Sequence, residues 1–117
     1  MKIPEYIKDN EVDCGCGCGL VPNKTFMKKL YIWRLLQNKP RRFLSGSRCR
    51  PYNKLKGGSG DSAHIRGAVD VYIPTGQMGK AVSDAIKAGM TGIGIKSNRK
   101  SIHLDDKHKE LTIWSYE

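Results

Sequence analysis

Two short alternating runs constrain the fold of this chain more than any other feature. In Ala68-Val69-Asp70-Val71-Tyr72-Ile73, strand geometry puts Val69, Val71 and Ile73 on one face and Asp70 and Tyr72 on the other. In Ser101-Ile102-His103-Leu104-Asp105, Ile102 and Leu104 oppose Ser101, His103 and Asp105. A carboxylate in the middle of a strand is costly unless it is paired or metal-bound. An ion pair with one of the many Lys and Arg side chains is the plain alternative for Asp70.

The rest of the chain supplies helices to cover such a sheet. Residues 1 to 22 read as irregular, because the Gly-Cys alternation blocks a helix. Asn23 can cap a helix running to about Asn38, with Phe26, Leu30, Trp33 and Leu36 on its core face. Pro40 ends it. Arg42 to Ser47 reads as a short strand and Pro51 to Lys56 as a turn of helix, before the flexible Gly57-Gly58-Ser59-Gly60 loop. Pro74-Thr75-Gly76 breaks the strand that carries Asp70. Gln77 to Ala88 then reads as a second helix, with Met78, Val82, Ala85 and Ile86 inward and Gly89 closing it. Three strands follow, near 92–96, 101–105 and 111–115. This order predicts an α+β fold, with helices packed on an antiparallel sheet. A chain of 117 residues is expected to form one domain, 1–117, without a separate second module.

The net charge of +10 invites a nucleic-acid reading. The Lys and Arg residues are scattered from Lys24 to Lys109, however, and no nucleic-acid motif accompanies them. A solvated basic surface is the simpler reading, followed by attraction to an anionic envelope. No nucleic-acid partner is expected. No apolar run approaches the length of a membrane helix, so no membrane insertion is expected. Met1 to Glu5 has no apolar signal region, so synthesis in the cytoplasm is expected.

Cys14, Cys16 and Cys18 alternate with glycine, and Cys49 follows Arg48. Three readings stand side by side. The four can be reduced thiols, one of the first three can pair with Cys49, or they can form a structural metal site. The spacing is not the Cys-x-x-Cys of zinc knuckles.

The chemistry concentrates in His64, Asp70 and His103. Two nitrogens and one oxygen around an open fourth position is the ligand set of a catalytic zinc site. Arg48, just upstream, offers a cation for a developing oxyanion, and a surface cation is its plain alternative. His108 reads as a loop histidine.

Four motifs carry a family resemblance: Ser45-Gly46-Ser47-Arg48, Ser62-Ala63-His64 through Asp70, Gly92-Ile93-Gly94, and His103-Leu104-Asp105. In this order they resemble the zinc D-Ala-D-Ala carboxypeptidases and murein endopeptidases, whose zinc-site architecture is shared with hedgehog and lysostaphin-type domains. The cysteine-rich opening and the aromatic end at Trp114 to Tyr116 fit as well.

The resemblance implies a zinc peptidase acting on peptidoglycan, with Zn2+ held by His64, Asp70 and His103. It implies Arg48 as the oxyanion cation and Ser62 as a substrate-lining residue. Many relatives place the general base where Lys100 or Ser101 stands here. The His-x-Asp branch instead offers Asp105, either as general base or as a partner that orients His103. Asp106 points away if the strand persists. The family has six residues between its histidine and aspartate; here Ile65 to Val69 are five, and the deletion falls in the turn around Gly67. The partner expected is a peptidoglycan peptide, met by a monomer. Delivery to the wall would come from release or from a carrier such as a phage lysis system or virion. A wall-binding or structural domain that keeps the fold without catalysis is the alternative.

Overall fold

Asn23 opens the first helix, and its Oδ1 accepts a 2.9 Å hydrogen bond from the Phe26 amide. This satisfies one of the amides left without a partner at a helix start. Helix α1 (Lys24–Gln37) ends at Asn38, whose left-handed conformation returns its amide to the carbonyls of Arg34 and Leu35. The computed structural model describes residues 12, 14, 16, 18, 20, 22–46, 55–56 and 67–117. The expected helical turn from Pro51 therefore lies largely outside the described residues.

Phe26, Leu30 and Trp33 are fully buried, as expected. The stripe continues with Gln37 rather than Leu36, which is exposed. Helical geometry gives the reason: Leu36 lies about 80° off the line through Phe26, whereas Gln37 returns to it. Helix α2 (Met78–Ala88) buries Met78, Ala81, Asp84, Ala85 and Ala88. Val82 is half-buried, and Ile86, expected inward, faces solvent. The small residues let α1 approach closely, and the Trp33 indole N–H reaches the Ala81 carbonyl at 3.0 Å.

Strands β1 (Phe43–Ser45), β2 (Ala68–Tyr72), β3 (Gly92–Lys96), β4 (Ser101–Asp105) and β5 (Thr112–Tyr116) form one sheet in the order β1-β2-β4-β3-β5. The α+β class is as expected. Three pairings are antiparallel, and β3 pairs with β5 in parallel. Both edges of β4 are taken by β2 and β3. β5 reverses direction after β4 and joins the edge of β3. Because β3 itself runs opposite to β4, the two reversals make β3 and β5 parallel.

Val69, Val71, Ile93, Ile102 and Leu104 are fully buried and join Phe26, Leu30 and Trp33 in one core. The helices thus cover one sheet face. Among the described residues no helix is long and apolar enough to cross a membrane.

Candidate active site

The face opposite the helices carries a row of residues set by strand register. Asp70 of β2 lies opposite His103 of β4. His103 lies opposite Gly94 of β3, and Gly94 opposite Trp114 of β5. Asp70, His103, Gly94 and Trp114 therefore cross four strands in line. The two polar members of this row, Asp70 and His103, are neighbours on adjacent strands.

His103 stands between two carboxylates. Its Nδ1 is 3.2 Å from Asp70 Oδ1, and its Nε2 is 2.6 Å from Asp105 Oδ2. Burial alone would lower the pKa of the imidazole. Hydrogen bonds and charge from Asp105 and Asp70 overcome this and raise it to about 9. Without a metal, His103 is an imidazolium that donates in both directions at neutral pH.

Asp105 is almost completely buried. Its Oδ2 takes the His103 bond, while Oδ1 accepts from the Lys107 amide at 3.0 Å and faces His108 Nδ1 at 3.1 Å. Burial pushes this carboxyl up, but the bonds from His103, Lys107 and His108 hold it below the usual aspartate value. Asp106, one residue on, turns away and pairs with Lys29 of α1 at 3.3 Å.

The glycines of Gly92-Ile93-Gly94 make the space for these groups. A Cβ on Gly92 would overlap the Asp105 carboxylate. A Cβ on Gly94 would sit 2.9 Å from the Trp114 indole. The indole lies beside both histidines, with ring centroids 5.4 Å from His103 and 5.6 Å from His108.

Asp70, His103, Trp114 and Tyr116 line a pocket of about 350 Å³. Asp70 and His103 both border it, whereas Asp105, bonded to Nε2 of His103, is not part of its lining. The Tyr116 hydroxyl is 3.3 Å from Ser101 Oγ. Burial, with a smaller contribution from the Asp70 charge, raises its pKa. Tyr116 therefore stays protonated at neutral pH, able to donate. A larger groove of about 780 Å³ lies on the helix side of the sheet, along Met78, Val82, Ile95 and Ile113, and also touches Trp114.

The donor set suits a zinc ion. One imidazole nitrogen and one carboxylate oxygen converge on an accessible pocket, and the opposite ring nitrogen is fixed by a buried carboxylate. That arrangement sets the tautomer and orientation of a metal-binding histidine. His64, the third expected ligand, lies outside the described residues, as do Arg48, Ser62 and Cys49.

Two contributors were not singled out from sequence. His108 reads as a loop residue and is one, yet it reaches Asp105 and Trp114. Its spacing of three from Asp105 was the available signal. Tyr116 shares a strand face with Trp114, and period-two alternation would have placed both on the open side.

The Peptidase M15 family matches residues 5–105, a span that includes every motif from the cysteines to His103-Leu104-Asp105. No curated protein matches the chain. A family match over most of the sequence, joined to an α+β fold that aligns Asp70 with His103, makes this chain a member of the Peptidase M15 family, the zinc D-Ala-D-Ala carboxypeptidase-like peptidases.

Proposed function

We propose that the protein is a zinc-dependent peptidase that hydrolyses a peptide bond of bacterial peptidoglycan, as a D-Ala-D-Ala carboxypeptidase or a cross-link endopeptidase. The observation that carries this reading is the orientation of His103. Nδ1 lies against Asp70, with which His103 lines the pocket, and Nε2 is held by a buried carboxylate. His64, Asp70 and His103 would hold the metal. A zinc ion in such a set polarises the scissile carbonyl and makes water nucleophilic near neutral pH.

The chain's own residues then have distinct roles. Asp105 keeps Nε2 protonated, so that Nδ1, on the Asp70 side, is the nitrogen that would ligate a metal. Its burial and its three hydrogen bonds favour this orienting role over that of a base reaching the pocket. Trp114 forms one wall of the pocket beside His103. The Tyr116 hydroxyl can donate to a substrate carbonyl. Arg48 would stabilise the oxyanion, and Arg48→Ala should lower kcat by roughly two to three orders of magnitude. Ser62 would line the substrate. Site of action would be the wall, reached after release or delivery.

One observation favours the non-catalytic alternative. Among the described residues lining the pocket, Asp70 is the sole carboxylate, and it belongs to the metal set. The deciding experiment measures metal content and digests purified peptidoglycan, with products identified by mass. A zinc-loaded protein that releases stem or cross-link fragments supports the peptidase. A zinc-loaded protein that sediments with the wall and releases nothing supports the binding domain.

A further inference from the structure

We propose that Cys14, Cys16 and Cys18 form a second metal site, which binds a soft divalent cation of the zinc class through thiolates. Their sulfur atoms all lie within 4.8 Å of one another. The Sγ atoms of Cys14 and Cys16 are 3.4 Å apart. None of the three is in a disulfide. Thiolates around a tetrahedral zinc, each at about 2.3 Å, stand roughly 3.8 Å from one another. Distances of 3.4 Å for one pair and at most 4.8 Å for all three bracket that value, so small side-chain adjustments would seat an ion.

Burial is graded in the way a metal site needs. Cys14 is 2% exposed and forms the floor, while Cys16 and Cys18 are open to solvent and leave an entry path. The Cys14 amide donates to the Leu20 carbonyl at 2.7 Å, which ties these two backbone positions together. Three converging thiolates repel one another, and a divalent cation removes that repulsion. The resulting cluster of three thiolates and one cation carries about one negative charge, which a chain of net charge +10 accommodates. Sulfur donors select zinc-class ions over magnesium or calcium.

The site has a structural consequence. Val12 is part of the hydrophobic core, and its main chain lies directly against Gly46 at the end of β1. An ion on the three thiolates would fasten the segment from Val12 to Leu20 beside that strand end, two residues before Arg48 in the sequence. Its role would be to clamp the N-terminal segment against β1.

The test uses the full chain loaded with cobalt as a spectroscopic stand-in for zinc. Wild type should show a sulfur-to-cobalt charge-transfer band. The Cys16→Ser, Cys18→Ser double variant should lose that band and one metal per chain. His103→Ala should keep the band, so failure of the peptidase-site assignment is read separately. Both substituted cysteines are exposed, and circular dichroism reports whether the fold is retained. Should the double variant not fold, wild-type zinc protein provides the second measurement. Its thiols should react slowly with an alkylating reagent and regain reactivity when a chelator is added. A wild-type cobalt protein without the charge-transfer band overturns the proposal. So do thiols that react equally with and without chelator, or an unreduced mass that reports a disulfide among the three.

Discussion

Asp105 accepts a 2.6 Å hydrogen bond from Nε2 of His103, on the side of the ring away from the pocket. A carboxylate so placed governs the basicity of Nδ1 without reaching the reacting atoms. Asp105→Asn should therefore keep the fold and weaken zinc binding by about 10- to 100-fold. Excess zinc should restore turnover. Normal zinc affinity together with lost turnover at saturating metal would instead make Asp105 the base. Zinc affinity and kcat measured on one preparation separate the two.

The His103 imidazolium makes metal binding depend on pH. Burial lowers its pKa, but Asp105 and Asp70 outweigh burial and raise it from 6.5 to about 9. A raised value in the folded state means that the metal-free fold gains this stabilisation fully below about pH 6.5 and loses it as pH rises through about 9. Zinc must displace the Nδ1 proton. Apparent affinity should climb by about tenfold per pH unit from roughly 6.5 to 9 and then level off. Calorimetry in buffers of different ionisation enthalpy should find about one proton released per zinc at pH 7.5. An affinity that is flat across this window would remove His103 Nδ1 from the ligand set.

Strands β2 and β4 are legible in the sequence because period-two alternation is a local property, and each run carries its own pattern. Their pairing, which brings Asp70 to His103, follows once both polar faces must share one side of a sheet. The parallel pairing of β5 is not local. It depends on both edges of β4 being occupied. The ends of the helix stripes mislead for a different reason. Leu36 and Ile86 are apolar but off the buried line, while polar Gln37 and Asp84 are on it and bond to each other across 47 residues. The two possible roles of Asp105 cannot be separated by spacing either. What separates them is which ring nitrogen it holds and how deeply it is buried.

The Gln37–Asp84 pair leads to a stability prediction. Asp84 accepts from Gln37 Nε2 and from Lys80 Nζ, each at 2.7 Å, and Arg41 Nε donates to Gln37 Oε1 at 2.8 Å. Burial pushes the Asp84 carboxyl up, but Lys80 and Gln37 hold it below 3.8. Its contribution is therefore present above the unfolded value and fades as pH falls through the folded one. Asp84→Ala strands the Gln37 amide inside the α1–α2 interface and should cost about 2–3 kcal/mol in denaturant unfolding. Asp84→Asn, which keeps an acceptor for Gln37, should cost less. A loss below about 0.5 kcal/mol for the alanine variant would show that solvent replaces the network.

Gly92 and Gly94 are two residues apart and should fail in different ways. A methyl group at residue 92 overlaps the Asp105 carboxylate, and strand pairing of Gly92 with Asp105 leaves neither backbone free to retreat. The carboxylate must swing off His103. Gly92→Ala should cost about 1–3 kcal/mol of stability through overpacking. It should also weaken zinc binding by about the 10- to 100-fold expected for loss of the Asp105 contact. A methyl at residue 94 instead presses on the Trp114 indole, which forms the pocket wall and does not bind the metal. Gly94→Ala should leave zinc affinity near wild type while lowering kcat/KM and changing the tryptophan emission. Zinc titrations of both variants, with unfolding curves to confirm that each is folded, distinguish the two effects. If Gly92→Ala binds zinc as wild type does, Asp105 does not tune His103, and the first prediction above falls with it.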